Sequence, residues 1–164
     1  MRKFIYQSIV EKLQTEIPEI KHFDLWRNQL SSLEEEQPFE LPAVLVEFRP
    51  ITWRHQGNAV RDAAVEIALH VLTWQNMPTS TELPYCEESL QFLNLLTDIN
   101  RVLHGYYHKS DLFTHDPLTA TQSTTDNGFY EIRHDIEVFS CHATDASAMP
   151  KYKRAKIVPV ITTP

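Results

Sequence analysis

The sequence predicts an α+β fold, a mainly antiparallel sheet with two principal helices packed on one face, and three observations carry that expectation. Two stretches repeat apolar residues at helical spacing. Five shorter stretches are rich in β-branched and aromatic residues. Asp126-Asn127-Gly128 separates the last two of these, and Asn-Gly between β-prone segments is the strongest short-range hairpin signal. At 164 residues the chain suits one domain, which hides about two-thirds of its unfolded surface. Residues 1–145 are assigned to a single α+β domain, and residues 146–164 to an extended, basic, β-prone arm.

Residues 4–17 place Ile5, Ile9, Leu13 and Ile17 at four-residue spacing, with Lys3, Gln7, Glu11 and Gln14 on other faces, and Pro18 ends this amphipathic helix. Residues 20–26 (IKHFDLW) are short, aromatic and mixed, as in a strand. The stretch 27–40 holds Ser31-Ser32, the run Glu34-Glu35-Glu36 and Pro38, with few apolar anchors, and is expected to be a solvated loop. Residues 41–49 (LPAVLVEFR) form the next strand, with Pro42 near its start, where a strand tolerates proline. In residues 63–74 (AAVEIALHVLTW), Val65, Ile67, Leu69, Val71 and Thr73 share one face. Glu66, Ala68, His70, Leu72 and Trp74 share the other, which is only half polar, so a central strand covered on both sides for part of its length is expected. The intervening residues 50–62 are expected to be a long loop turning at Gly57-Asn58, and loops of that length tend to be functional.

The second helix spans about residues 84–104, with Cys86, Leu90, Leu93, Leu96, Ile99, Val102 and Leu103 on a stripe that Phe92 and Leu95 widen. Pro84 suits its first turn, Glu87 and Glu88 its positive end, Arg101 and His104 its negative end, and Gly105 its C-terminal cap. Residues 118–125 and 129–142 then flank the Asn-Gly turn. The longer strand alternates Tyr130, Ile132, His134, Ile136 and Val138 against Glu131, Arg133, Asp135 and Glu137, and is expected to be half buried. Its threonine-rich partner is expected at a sheet edge able to recruit another chain.

Composition narrows the function. Fifteen Lys and Arg against 22 Asp and Glu leave a net charge of −7, which disfavours a phosphate-tracking nucleic-acid binder. No window has the roughly 20 apolar residues of a membrane helix, and Gln7, Ser8, Glu11 and Lys12 interrupt any signal-peptide core, so a cytoplasmic location is expected. With three glycines and no GxGxxG, P-loop or GxSxG spacing, phosphate loops and a nucleophile elbow are missing. Cys86 and Cys141 lack CxxC spacing and are expected to be ordinary thiols.

Eight histidines invite a metal audit. The best candidates are His104 with His108, and Cys141 with His142. Gly105 breaks the helix between the first pair, and neighbours in a strand point to opposite faces, so no metal, cofactor or catalytic residue is assigned. His70 and His134 fall within strands; as general bases they would need an orienting carboxylate, and Asp135 beside His134 points the wrong way. Both are expected to be polar side chains on partly buried sheet faces. Trp53, in the long loop, is the aromatic residue expected to be exposed at an interface.

Lys151, Lys153, Arg154 and Lys156 form the sharpest charge asymmetry in the chain, and Ile157 and Val158 begin an apolar run behind them. Three readings follow: docking of this arm on an acidic surface of an identical neighbour, contact with a nucleic-acid backbone, or a solubilising tail. The apolar run favours the first, because burial would stabilise it.

The order of elements, an opening helix (FIYQSIVEKLQTEI), a strand LPAVLVEF, a long loop, a strand VEIALHVLTW, a leucine-rich helix through LNLLTDINRVLHG and a closing strand FYEIRHDIEVF, resembles the tail terminator, or tail completion, proteins of bacteriophages and prophages. The resemblance covers about residues 4–142 and rests on spacing and hydrophobicity. It implies a non-enzymatic virion assembly protein, a homo-oligomeric ring at the head-proximal end of the tail. It implies tail tube and head-connector proteins as partners, with no specific nucleic acid and no membrane, in the host cytoplasm or the virion. Two other readings stand beside it: a small cytosolic metal-binding protein or hydrolytic enzyme using His70, His104, His108 or His134, and a general protein-interaction adaptor.

Overall fold

Ile5, Ile9 and Leu13 are buried along one side of the first helix, α1 (Arg2–Glu16), as their four-residue spacing predicts. Its last turn closes through the Ile17 amide donating to the Leu13 carbonyl (2.8 Å), and Pro18 then removes the next donor. In the computed structural model, residues 1–32, 39–74, 90–129 and 131–149 are described. They form α1, β1 (His22–Leu25), a 3-10 turn (Gln29–Ser32), β2 (Ala43–Phe48), β3 (Arg54–Gly57), β4 (Val60–Trp74), α2 (Gln91–Leu103), β5 (His108–Lys109), β6 (Phe113–His115), β7 (Thr119–Phe129) and β8 (Ile132–Asp145).

One eight-stranded sheet has the order β1-β2-β4-β8-β6-β5, with β3 also on β4 and β7 also on β8. The two long central strands thus each share an outer edge between two shorter ones. β2 and β3 follow one another along β4, and β7 and β6 along β8. The sheet is mainly antiparallel, as expected, but not purely so: β1 and β2 run parallel, and the other described pairings are antiparallel.

Both helices lie on the same face of this sheet. Val44 and Val46 of β2, Val65, Ile67, Leu69 and Val71 of β4, and Phe139 and Cys141 of β8 form one core with α1 and with Leu95, Ile99 and Leu103 of α2. Leu93, placed in the α2 stripe by periodicity, is exposed, because two residues turn about 200° around a helix from Leu95. Gly105 adopts φ +82 directly after the helix, the left-handed cap expected of it. Pro84 to Glu88, including Cys86, lie outside the described residues.

The expected loop 50–62 contains a strand of its own. β3 pairs with the start of β4 across a two-residue turn at Asn58 and Ala59, both at positive φ (49° and 61°). That geometry suits the right-handed twist of a hairpin, and asparagine tolerates it better than alanine. Ala59→Gly is therefore expected to raise the unfolding free energy by about 0.5–1 kcal/mol, after the entropy glycine adds to the unfolded chain is deducted. A denaturant midpoint unchanged or lowered would contradict this.

The second hairpin also differs from its signal. Asn127 and Gly128 belong to β7, at a register irregularity between Asp126 and Phe129, and Phe129 pairs with Ile132. β8 is covered on both faces rather than half buried. Asp135 and Glu137, expected toward solvent, are buried on the helix-bearing face. Asp135 accepts from Arg133 (2.7 Å) and Thr125 (2.6 Å), and Glu137 from Asn100 of α2 (2.6 Å) and from Ser123. These donors make the burial of two carboxylates tolerable.

Candidate functional site: a buried histidine pair between two carboxylates

The sheet face opposite the helices carries a smaller apolar cluster of Leu41, Ala43, Leu45, Leu72 and Ile132, against which Trp26, Leu30 and Phe39 pack. Alternation along three strands brings Glu47, His70 and His134 to this same face. The Trp26 amide donates to the Val46 carbonyl (3.0 Å), and the indole stacks on the His70 ring with centroids 3.9 Å apart and planes within 4°. His70 is 4% exposed and His134 2%.

The polar groups form a line across β2, β4, β8 and β7. Glu47 Oε2 stands 3.1 Å from His70 Nε2, His70 Nδ1 stands 2.8 Å from His134 Nε2, and His134 Nδ1 faces Asp126 Oδ2 at 3.5 Å. Behind Glu47, the Arg49 guanidinium lies 3.2 Å away and anchors the outer end. His134 Nδ1 is within ion-pair reach of Asp126 but makes no hydrogen bond.

A proton count explains that gap. Three contacts need three ring protons, and two neutral imidazoles carry two. Glu47 accepts from His70 Nε2–H, and His70 Nδ1 accepts from His134 Nε2–H, so the two short contacts are satisfied. The shortfall falls on the longest, where the bare Nδ1 lone pair of His134 faces a carboxylate. Burial pushes His70 down to about 4, against the pull of Glu47. Burial also lowers His134, opposed by Asp126 and Asp135. Both rings are therefore neutral near pH 7. The arrangement can hold a proton and pass it between two carboxylates, through two buried rings whose line ends at the exposed Asp126.

The missing carboxylate of the sequence argument is thus present twice, as Glu47 and Asp126. Asp135 does point away, as its register dictates. A signal existed: Glu47 and His70 each interrupt an apolar run inside a strand, and His134 falls between Ile132 and Ile136 on one strand face, but pairing them requires the strand order β2-β4-β8, which no single segment encodes.

The other candidate residues do not meet. His104 and His108 are both exposed; His104 Nδ1 accepts from the Ala120 amide (3.3 Å), while the His108 ring lies 5.1 Å from that of Phe4. Cys141 is buried and its thiol is pushed up to about 12 by that burial, whereas His142 is exposed and faces Asp62 at 3.0 Å. Among the described residues no group of three or more His, Cys, Asp or Glu is placed to hold a metal ion, and no helix is long and apolar enough to cross a membrane. Trp53 is half-buried against the main core, with the Arg61 guanidinium 4.4 Å over its ring. Lys151, Lys153, Arg154, Lys156, Ile157 and Val158 lie outside the described residues. No protein-family model matches the chain, and no curated protein matches its sequence.

Proposed function

We propose that the protein is a structural, non-enzymatic subunit that works by assembling with copies of itself, as a tail-terminator-like ring at the head-proximal end of a phage or prophage tail. Tail tube and head-connector proteins would be its axial partners. The observation that carries this reading is the open edge of β7. This strand of eleven residues pairs only with β8 among the described strands, and its side chains from Thr121 to Asp126 are exposed. The Ala120 amide is taken by His104, and the edge from Thr121 to Asp126 that follows is a template for another chain.

Charge supports the same reading. Taking the four arm cations out of the net −7 leaves the first 149 residues at −11, so arm and body attract between neighbours. Such an unlike, head-to-tail contact generates a closed ring when its rotation closes. Pro159, within the apolar run of the arm, suits a strand added at an outer edge, where its missing donor faces away from the sheet. A body this acidic also repels DNA passing through a ring lumen.

Light scattering and negative-stain microscopy of the full chain test this. The expected result is a closed ring of fixed mass. A monomer at every concentration overturns the reading. Deleting residues 150–164 is expected to abolish the ring while leaving the thermal midpoint nearly unchanged; unaltered assembly would remove the arm from the mechanism.

A further inference from the structure

The stretch Gln122–Asp126 of β7 is paired with β8 between two register irregularities, Ala120/Gln122 and Asp126/Phe129. On the helix-bearing face it is gripped by side chains, Thr125 by Asp135 (2.6 Å) and Ser123 by Glu137. On the opposite face its last residue, Asp126, meets His134 Nδ1 at 3.5 Å, and that buried nitrogen makes no hydrogen bond.

We propose that the His134–Asp126 contact is a proton-operated latch on the end of the edge strand β7. With both rings neutral, His134 presents a lone pair to a carboxylate and the contact repels. When Nδ1 takes one proton from solvent, the imidazolium donates to Asp126, the third contact of the chain is completed, and the end of β7 is held to β8. The line from Glu47 keeps the other ring nitrogens in their roles, so the incoming proton has one place to go.

The groups facing His134 set the conditions. β4 contributes His70, whose own positive charge would oppose a second proton. β2 contributes Glu47 behind His70, with Arg49 at 3.2 Å partly cancelling it. β7 contributes Asp126, and β8 itself contributes Asp135; both favour the proton on His134. Trp26 covers the pair with an uncharged ring, 5.3 Å from that of His134. Burial outweighs the carboxylates, so the latch closes below the ordinary histidine value of 6.5.

The test follows the His134 ring resonances and the amide exchange of Thr124 to Asp126 in the full chain across that range. Asp126→Asn suits it, because the Asp126 side chain is 59% exposed and its loss spares the core. This variant is expected to lower the His134 midpoint by about one pH unit. Below the wild-type midpoint, the amides that bond to β8 are expected to exchange faster in the variant than in the wild type, and above it more slowly, because the repulsion is gone and an asparagine N–H can donate to the bare Nδ1. A midpoint unmoved by Asp126→Asn, or exchange equal in both proteins at every pH, overturns the latch. His134→Gln, which cannot titrate, is expected to exchange with the intrinsic pH dependence alone. The latch belongs to each copy and does not rest on the ring: a ring without proton-linked exchange removes the latch and keeps the assembly, and the reverse outcome does the opposite.

Discussion

Phe139→Ala is expected to lower the unfolding free energy by about 3–5 kcal/mol, read as a lower denaturant midpoint at unchanged slope. Phe139 is 1% exposed, belongs to the main core, and sits on β8 opposite Ile67 of β4 on one side and Ala120 of β7 on the other. Its ring fills the layer between the sheet and the helices, and the small residue at Ala120 cannot close the space left behind. Leu93→Ala is the control. Leu93 is exposed on α2, and its truncation is expected to change stability by less than about 0.5 kcal/mol. A loss below about 1 kcal/mol at Phe139, or equal losses at both positions, would contradict the packing described.

The second large effect is on acid stability. The folded His70 value of about 4 lies below the unfolded value near 6.5, so between these limits the unfolded chain binds a proton that the folded chain refuses. Stability from this group is complete above pH 6.5 and is lost as pH falls toward 4, by on the order of 3 kcal/mol for a shift of that size. His134 and His115, both lowered by burial, act in the same direction. His70→Gln is expected to be less stable than the wild type at pH 7 and to lose less between pH 6.5 and 4. Urea unfolding at several pH values measures both slopes; equal slopes would show that His70 is not the source.

Much of the secondary structure was legible because it is local. The four-residue spacing of Ile5, Ile9 and Leu13, the alternation from Val65 to Val71 and the glycine after α2 each encode their own element, and each forms as expected. The departures arise where a distant segment decides. Asp135 and Glu137 look like a solvent face until Asn100, Ser123 and Thr125 supply donors from α2 and β7. β3 was hidden because RHQG has no alternating apolar signal and is held by its hairpin with β4. The histidine pair was visible as two isolated polar positions, but its chemistry exists only across β2, β4, β8 and β7. Strand order is therefore the information that separates a chain of proton contacts from two ordinary buried rings.

β4 and β8 run side by side through fourteen paired positions, from Arg61 opposite Asp145 to Trp74 opposite Ile132. A pull along their common axis loads every rung of that ladder together, whereas a pull across it opens the rungs in turn. This ladder therefore resists shear along the strands more than it resists opening across them. Any assembly that transmits tension through it gains most mechanical strength by aligning these two strands with the line of force.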